Sequence, residues 1–83
     1  MNEKTLSDDI ALAAALVPTM RRFEENGIWR VEGYGLVQMD ATAFHKAFDS
    51  WFVTDREDEY VEHHTTAYGV DFFALVLKEE NNG

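Results

Sequence analysis

Residues 60–78 read YVEHHTTAYGVDFFALVLK and predict a β-hairpin, the element from which the rest of the fold is built. Tyr68 and Gly69 fit a two-residue turn, which sets Glu59 opposite Lys78 across the two strands. An opposite-charge pair across neighbouring strands supports this register. We therefore expect two long antiparallel strands at the C-terminal end of the chain.

The second strand of this hairpin, residues 70–77, is apolar on both sides. Side chains alternate between the two faces of a strand. One set is Phe72, Ala74 and Val76, and the other is Phe73, Leu75 and Leu77. Only one set can face the helices of a small domain, so the other is available to a partner.

Upstream, residues 7–25 show helical spacing of apolar side chains. Ser7 is a suitable N-cap, and Asn26 with Gly27 supplies a left-handed C-cap. Pro18 removes a backbone donor and disfavours helix at Val17. We expect one long helix with a kink or a break near Val17.

Two more elements follow. Residues 28–40, IWRVEGYGLVQMD, predict two short strands with a tight turn within Gly33–Gly35, or one long bulged strand. Residues 41–52, ATAFHKAFDSWF, predict an amphipathic helix capped by Asp40. His45 and Asp49 would share its polar side.

The element order is therefore αββαββ. It predicts an α+β fold, a two-layer sandwich in which helices cover one face of a four-stranded antiparallel sheet. We expect residues 1–83 to form a single domain, with frayed tails at 1–5 and 79–83. The repeated Tyr-Gly turn (34–35 and 68–69) matches in only two residues, which favours coincidence over an internal duplication.

The composition narrows the classes of function. The chain has no cysteine, which excludes disulfides, thiolate zinc sites and a cysteine nucleophile. The N-terminus lacks the flank of a secretory signal, and the longest apolar run is far shorter than the ~20 residues that span a bilayer. We therefore expect a cytoplasmic protein. Its net charge of −9 repels nucleic acid and anionic membranes, so we expect it to bind neither directly.

Histidines are the best candidates for catalysis or metal binding. His63 and His64 are neighbours on a strand, so they point to opposite faces. His45 and Asp49 could supply two metal ligands, yet a zinc site needs three or four, and no HExxH or phosphate-loop motif is present. We expect no catalytic residue, metal or cofactor. A metal-assisted enzyme around His45, His63 or His64 is the third hypothesis.

The acidic stretch is the main candidate for a binding surface. Residues 49–62 hold six carboxylates against Arg56 alone, which is five of the nine net negative charges. Such an edge would dock on a basic surface, with charge complementarity setting the register. The partner-binding residues are Asp49, Asp55, Glu57, Asp58, Glu59, Tyr60 and Glu62. The alternative is a solvated loop.

In size, acidity, lack of cysteine and compact α+β form, the chain resembles the small acidic inhibitors of phages and mobile elements, such as anti-CRISPR and other DNA-mimicking proteins. The resemblance rests on no motif, so it assigns no residue a role. It implies a non-enzymatic inhibitor that blocks the nucleic-acid site of a defence complex. The alternative is a small homodimeric or antitoxin-like assembly protein that uses the apolar strand 70–77.

Overall fold

A computed structural model of the chain describes residues 3–81. The elements are α1 (Glu3–Ala15), α2 (Val17–Glu25), β1 (Ile28–Glu32), β2 (Leu36–Met39), α3 (Ala41–Ala47), β3 (Phe52–Asp55), β4 (Tyr60–Ala67), β5 (Val70–Leu77) and the single turn α4 (Lys78–Asn81). The protein is therefore α+β, as predicted.

The five strands form one mixed sheet in the order β1-β2-β5-β4-β3. Three neighbouring pairs are antiparallel, whereas β2 and β5 run parallel in the centre. The predicted four-stranded antiparallel sheet is wrong in both strand number and direction. The connection from β2 to β5 contains α3, β3 and β4, and a connection of that length allows a parallel pair.

The extra strand, β3, takes the last residue of the predicted helix 41–52 and the three residues that follow it. Helix α3 ends at Ala47, and Phe48 already has extended backbone angles of φ −124° and ψ 136°. Beyond it, Phe52 to Asp55 form β3 and pair with β4. Aromatic and β-branched residues favour extended backbone, and pairing with β4 satisfies backbone groups that a loop would leave open.

The β4–β5 hairpin has the predicted register. Tyr68 and Gly69 both have positive φ, 55° and 74°, as a two-residue turn of the primed type requires. The pairing then runs without interruption from the turn to the other end of both strands. It is extended by the Lys78 N–H group, which donates to the Glu59 carbonyl at 2.9 Å.

The hydrophobic core lies between α3 and one face of the sheet. Phe44 is fully buried and packs with Val37, Met39 and Ala74. The Phe44 ring also contacts Phe48, with ring centroids 5.0 Å apart. Burial of an aromatic ring on this face fixes how α3 lies on the sheet.

Helix α3 and the start of β1 approach each other at Gly27. This residue has φ +82°, and a Cβ atom placed on it would lie 2.6 Å from the Cβ of Ala43. The Gly27 carbonyl accepts from the Asp40 N–H group at 2.7 Å. The Asp40 carboxylate in turn accepts from the Ala43 N–H group at 3.2 Å, so Asp40 is the predicted N-cap of α3.

The N-terminal helical region is divided at Leu16, next to the break predicted from Pro18. Ser7 lies inside α1 rather than at its start, so its prediction as the N-cap is wrong. In the tails predicted to fray, 3–5 belong to α1 and 79–81 to α4. Residues 1, 2, 82 and 83 lie outside the described part of the chain.

Candidate functional site

The two faces of the sheet are covered to different extents. Helix α3 packs on the face that carries Ala74 and Val76, and both are buried. On β5, the alternate residues Phe73, Leu75 and Leu77 point to the other face and are half-buried. We call this second face the open face, because within residues 3–81 the one long helix that packs on β5 is α3, and α3 lies on the opposite face.

Strand pairing shows which other residues belong to the open face. Cross-strand partners lie on the same side of a sheet. The partners of β5 on this side, together with the next residues outward and Asp71 of β5 itself, are Arg30, Glu32, Leu36, Gln38, Phe52, Thr54, Tyr60, Glu62, His64, Thr66 and Asp71. Phe52 is 72% exposed, and its ring stacks on His64 at 5.9 Å. The open face is therefore apolar along β5, whereas most of the residues around that strand are polar.

A second exposed apolar surface lies on α1 and α2, residues 3–25, which we call the helical arm. Every side chain from 5 to 15 is exposed, including Ile10 at 62% and Leu12 at 64%. Within the described residues, α2 has no buried side chain. Helix α1 contacts α2, which contacts β1. The molecule is accordingly elongated, 53 Å in one dimension and 24 Å in the other two.

The acidic stretch forms a hairpin, with a turn at residues 56–59 between β3 and β4. Arg56 organises this turn. Its Nη2 atom lies 3.0 Å from Asp58 Oδ2, and its Nε–H group donates to both oxygens at 3.2 Å. Asp58 also accepts from the Tyr60 N–H group at 3.0 Å. These bonds favour the ionised carboxylate, so the pKa of Asp58 lies below its usual value, mainly because of the hydrogen bond from Arg56.

Two cations neutralise part of the acidic hairpin. Besides Asp58, Arg56 lies 3.8 Å from Glu62. Lys78 Nζ lies 3.3 Å from an Asp55 oxygen and donates to the Arg56 carbonyl at 2.6 Å. Three of the predicted binding carboxylates are thus paired within the protein. Exposed ion pairs of this kind contribute little to stability, because water and salt screen them, but they link the residues of the turn to one another.

The other predicted binding residues lie in different places. Glu57 and Glu59 are exposed in the turn, and among side chains 5–80 no cation lies within ion-pair distance of either. Tyr60 is half-buried, and its side chain belongs to the open face. Asp49 precedes β3 and lies at the end of that strand opposite the turn. The hairpin therefore brings together the predicted residues from 55 to 62.

The histidines form a pair that the sequence did not indicate. His45 Nε2 and His63 Nδ1 are 2.9 Å apart, so one nitrogen donates and the other accepts. Trp51 stacks on both rings, with centroids 4.6 Å from His45 and 5.5 Å from His63. Burial, and then the neighbouring His63, lower the pKa of His45 because both disfavour the imidazolium.

Two features keep this pair from resembling a metal centre. Among the described residues, no group of three or more histidine, aspartate or glutamate side chains is placed to hold a metal ion. His64 lies on the open face, 2.7 Å from the Thr54 hydroxyl, as expected for a neighbour of His63 on one strand. The predicted grouping of His45 with Asp49 is wrong, because α3 ends before Asp49. His45 and His63 can share one hydrogen through the bond between their rings.

Sequence reasoning missed the helical arm as a surface. It assigned both helical segments to the covering layer of the sheet, as the usual two-layer packing suggests. One signal was present: Leu6, Ile10, Leu12 and Leu16 spread apolar side chains widely around the helix. A helix that covers only one sheet face needs a narrower stripe.

Comparison with known proteins assigns no family: no protein-family model, curated protein or solved structure matches the chain. None of the helices within residues 3–81 is long and apolar enough to cross a membrane.

Proposed function

We propose that the protein is a non-enzymatic assembly protein that works in a complex, with another polypeptide covering its open face. The observation that carries the proposal is the position of Phe73, Leu75 and Leu77. They lie in the centre of the sheet, on the side that no long helix of residues 3–81 covers. A central strand that is apolar on both faces is expected where both faces are covered.

Burial of the open face against another polypeptide would stabilise a complex through the hydrophobic effect. Removing apolar surface from water stabilises a complex by about 25 cal/mol per Å². Contiguous exposed apolar patches are rare on monomeric proteins and mark interaction sites. Among residues 5–80, twelve large apolar side chains are exposed, and half of them lie on the helical arm. Of the other six, Phe52 lies on the open face, where it adds to the half-buried Phe73, Leu75 and Leu77.

A charge placed on the open face tests the proposal. We would compare wild type with Leu75→Glu by sedimentation velocity on the purified protein, and by capture from an extract of the source cells in high salt. The control is Tyr34→Glu, which adds the same charge at a 78% exposed position in the β1–β2 turn. Circular dichroism would establish that each variant is folded.

We expect wild type and Tyr34→Glu to be found in the same assembly, and Leu75→Glu to be found free. The interface is apolar, so salt should not weaken it. If folded Leu75→Glu and wild type gave the same assembly, or if wild type formed none, the open face would not be the functional surface.

A second proposal rests on the acidic hairpin, which would dock on a basic surface that otherwise binds nucleic acid. The supporting observation is the turn held by Arg56, Asp58 and the Tyr60 N–H group, which presents Glu57 and Glu59 in one arrangement. A preorganised group loses less conformational entropy on binding. One observation argues against this second proposal: Asp55 and Glu62 are already paired with cations of the same molecule.

The second proposal has its own matched control. Glu57→Gln with Glu59→Gln removes two charges from the turn, and Glu79→Gln with Glu80→Gln removes two from α4, where both side chains are exposed. We expect capture of a nucleic-acid-binding protein to be lost in the first double variant and in 0.5 M salt, and kept in the second. Equal capture by both double variants would leave the hairpin as a solvated turn.

A further inference from the structure

We propose that the partner covering the open face is a second copy of this chain, whose helical arm packs on it, and that the two copies exchange arms. This inference rests on the proposed function and names the partner. It joins the two apolar surfaces of the molecule, the open face around Leu75 and the arm around Ile10. Both surfaces present apolar side chains to water, so contact between them would bury both.

The first argument is the amount of exposed surface. The chain has an accessible surface of 6448 Å² at a mass of 9.5 kDa. A compact monomer of that mass exposes about 5,000 Å². The excess is roughly 1,400 Å² per chain, or roughly 2,800 Å² for two chains. Permanent homodimer interfaces bury about 2,000–5,000 Å², so the excess is of the size that a stable dimer removes.

The second argument is the shape of the molecule. Its radius of gyration is 16.1 Å, whereas a compact domain of this length has about 12 Å. The elongation arises because α1 contacts α2, and α2 contacts the edge strand β1. In this arrangement the apolar side chains of α1 remain in water, at a cost that burial against another chain would remove.

The dimensions of the two surfaces agree. Helix α1 has 13 residues and is about 20 Å long. Strands β4 and β5 have eight residues each and are about 26 Å long. A helix is about 10 Å wide, which spans two strands at their spacing of about 4.8 Å. One arm therefore covers the centre of one open face.

Symmetry favours a second copy over an unrelated protein. When two copies are related by a twofold axis, one contact of arm on face generates the reciprocal contact, and both surfaces of both chains are covered in a closed assembly. An unrelated partner that covers the open face leaves the arm exposed. Each copy carries a net charge of −9, so salt screens the repulsion between copies and does not weaken the dimer.

The first test is the mass of the purified protein in solution, by sedimentation equilibrium at low and high salt. We expect twice 9.5 kDa at both. Ile10→Glu on the arm and Leu75→Glu on the face should each raise the dissociation constant by more than ~100-fold, since each places an unpaired charge in an apolar interface. Tyr34→Glu is the control. Ile10 is 62% exposed on the arm, so its substitution does not disturb the sheet.

The second test establishes which surfaces meet. The chain has no cysteine, so single cysteines can be placed at will. A tagged chain with Ile10→Cys is mixed with an untagged chain with Leu75→Cys. The mixture is diluted so that subunits exchange between dimers, and it is then treated with a short bifunctional thiol reagent. We expect the mixed pair to cross-link in higher yield than either protein alone. Ile10→Cys mixed with Tyr34→Cys is the control.

Three results would overturn the inference. A monomer at all concentrations excludes the second copy; if the open face still captures a different protein, the proposed function stands and this inference fails. Cross-linking of Leu75→Cys only with itself indicates that two faces meet. Cross-linking of Ile10→Cys only with itself indicates that two arms meet.

Discussion

The contact between Gly27 and α3 leads to the most exact prediction about this fold. We consider Gly27→Ala, a change of one methyl group. Gly27 has φ +82°, a backbone region that a residue with a side chain rarely adopts. The new methyl group would lie 2.6 Å from the Cβ of Ala43 and 3.2 Å from the Cβ of Asp40, both on the rigid start of α3.

The magnitude is the sum of two costs. Left-handed backbone costs a residue with a Cβ about 1–2 kcal/mol. Overpacking of a well-filled site costs about 1–3 kcal/mol more, because either α3 or β1 must move. We expect Gly27→Ala to lower the free energy of unfolding by about 2–5 kcal/mol, a large share of the stability of so small a domain.

Gly35→Ala separates the two costs. Gly35 has φ +90°, but no atom lies within 4 Å of the position that its Cβ would take. It should therefore lose only the backbone cost, about 1–2 kcal/mol. Urea unfolding followed by circular dichroism, at one protein concentration, measures the free energy of unfolding of each variant. In the background of Ala43→Gly, which itself carries the cost of a glycine in α3, Gly27→Ala should lose about 1–3 kcal/mol less than it does in the wild type, which is the packing part.

One result would refute the reasoning. If Gly27→Ala and Gly35→Ala lost the same free energy, and if the loss from Gly27→Ala were unchanged in the Ala43→Gly background, the start of β1 would not lie against α3. The position of α3 on the sheet would then need another explanation, since the Gly27 carbonyl and the Asp40 N–H group belong to the same contact.

Three further predictions concern the same layer. Phe44→Ala should cost about 3–5 kcal/mol in urea unfolding, because Phe44 is fully buried. Asp40→Ala should cost about 0.5–2 kcal/mol through loss of the α3 N-cap, and Asp40→Asn should restore most of it in the same assay. The pKa of His45 is lowered in the folded state, so the unfolded chain binds the proton more readily; stability should therefore fall as the pH drops from 7.5 through 6.5 to 5.5. His45→Gln should flatten this pH dependence in unfolding curves measured across the same range. An unchanged slope would show that His45 is not the source of the pH dependence.

Local chemistry made several elements predictable. The Tyr68–Gly69 turn set the register of β4 on β5, Asp40 marked the start of α3, and Gly27 with Asn26 marked the end of α2. Pro18 placed the break between α1 and α2. Each of these depends on a few neighbouring residues, whose conformational preferences act before any distant contact forms. The two apolar sides of strand 70–77 likewise indicated that one sheet face needs a cover.

Longer-range features were decided by the tertiary structure. Residues 41–52 carry helical spacing throughout, yet Phe52 belongs to β3, because the outer edge of β4 offers backbone partners that a helix end does not. The insertion of β5 between β2 and β4 brings the parallel pair, which no local pattern encodes. His45 and His63 meet because α3 packs on β5, and β4, which carries His63, is the next strand of the sheet.

The sequence by itself determined which segments are helices and which are the central strands, since side-chain periodicity and turn residues act over a few positions. Only the tertiary structure decided that the apolar helix α1 leaves the sheet and that the second face stays open. Periodicity shows that a surface is apolar, but it does not show what lies against it. That choice depends on the total surface buried, which is a property of the whole chain and of the chains that it binds.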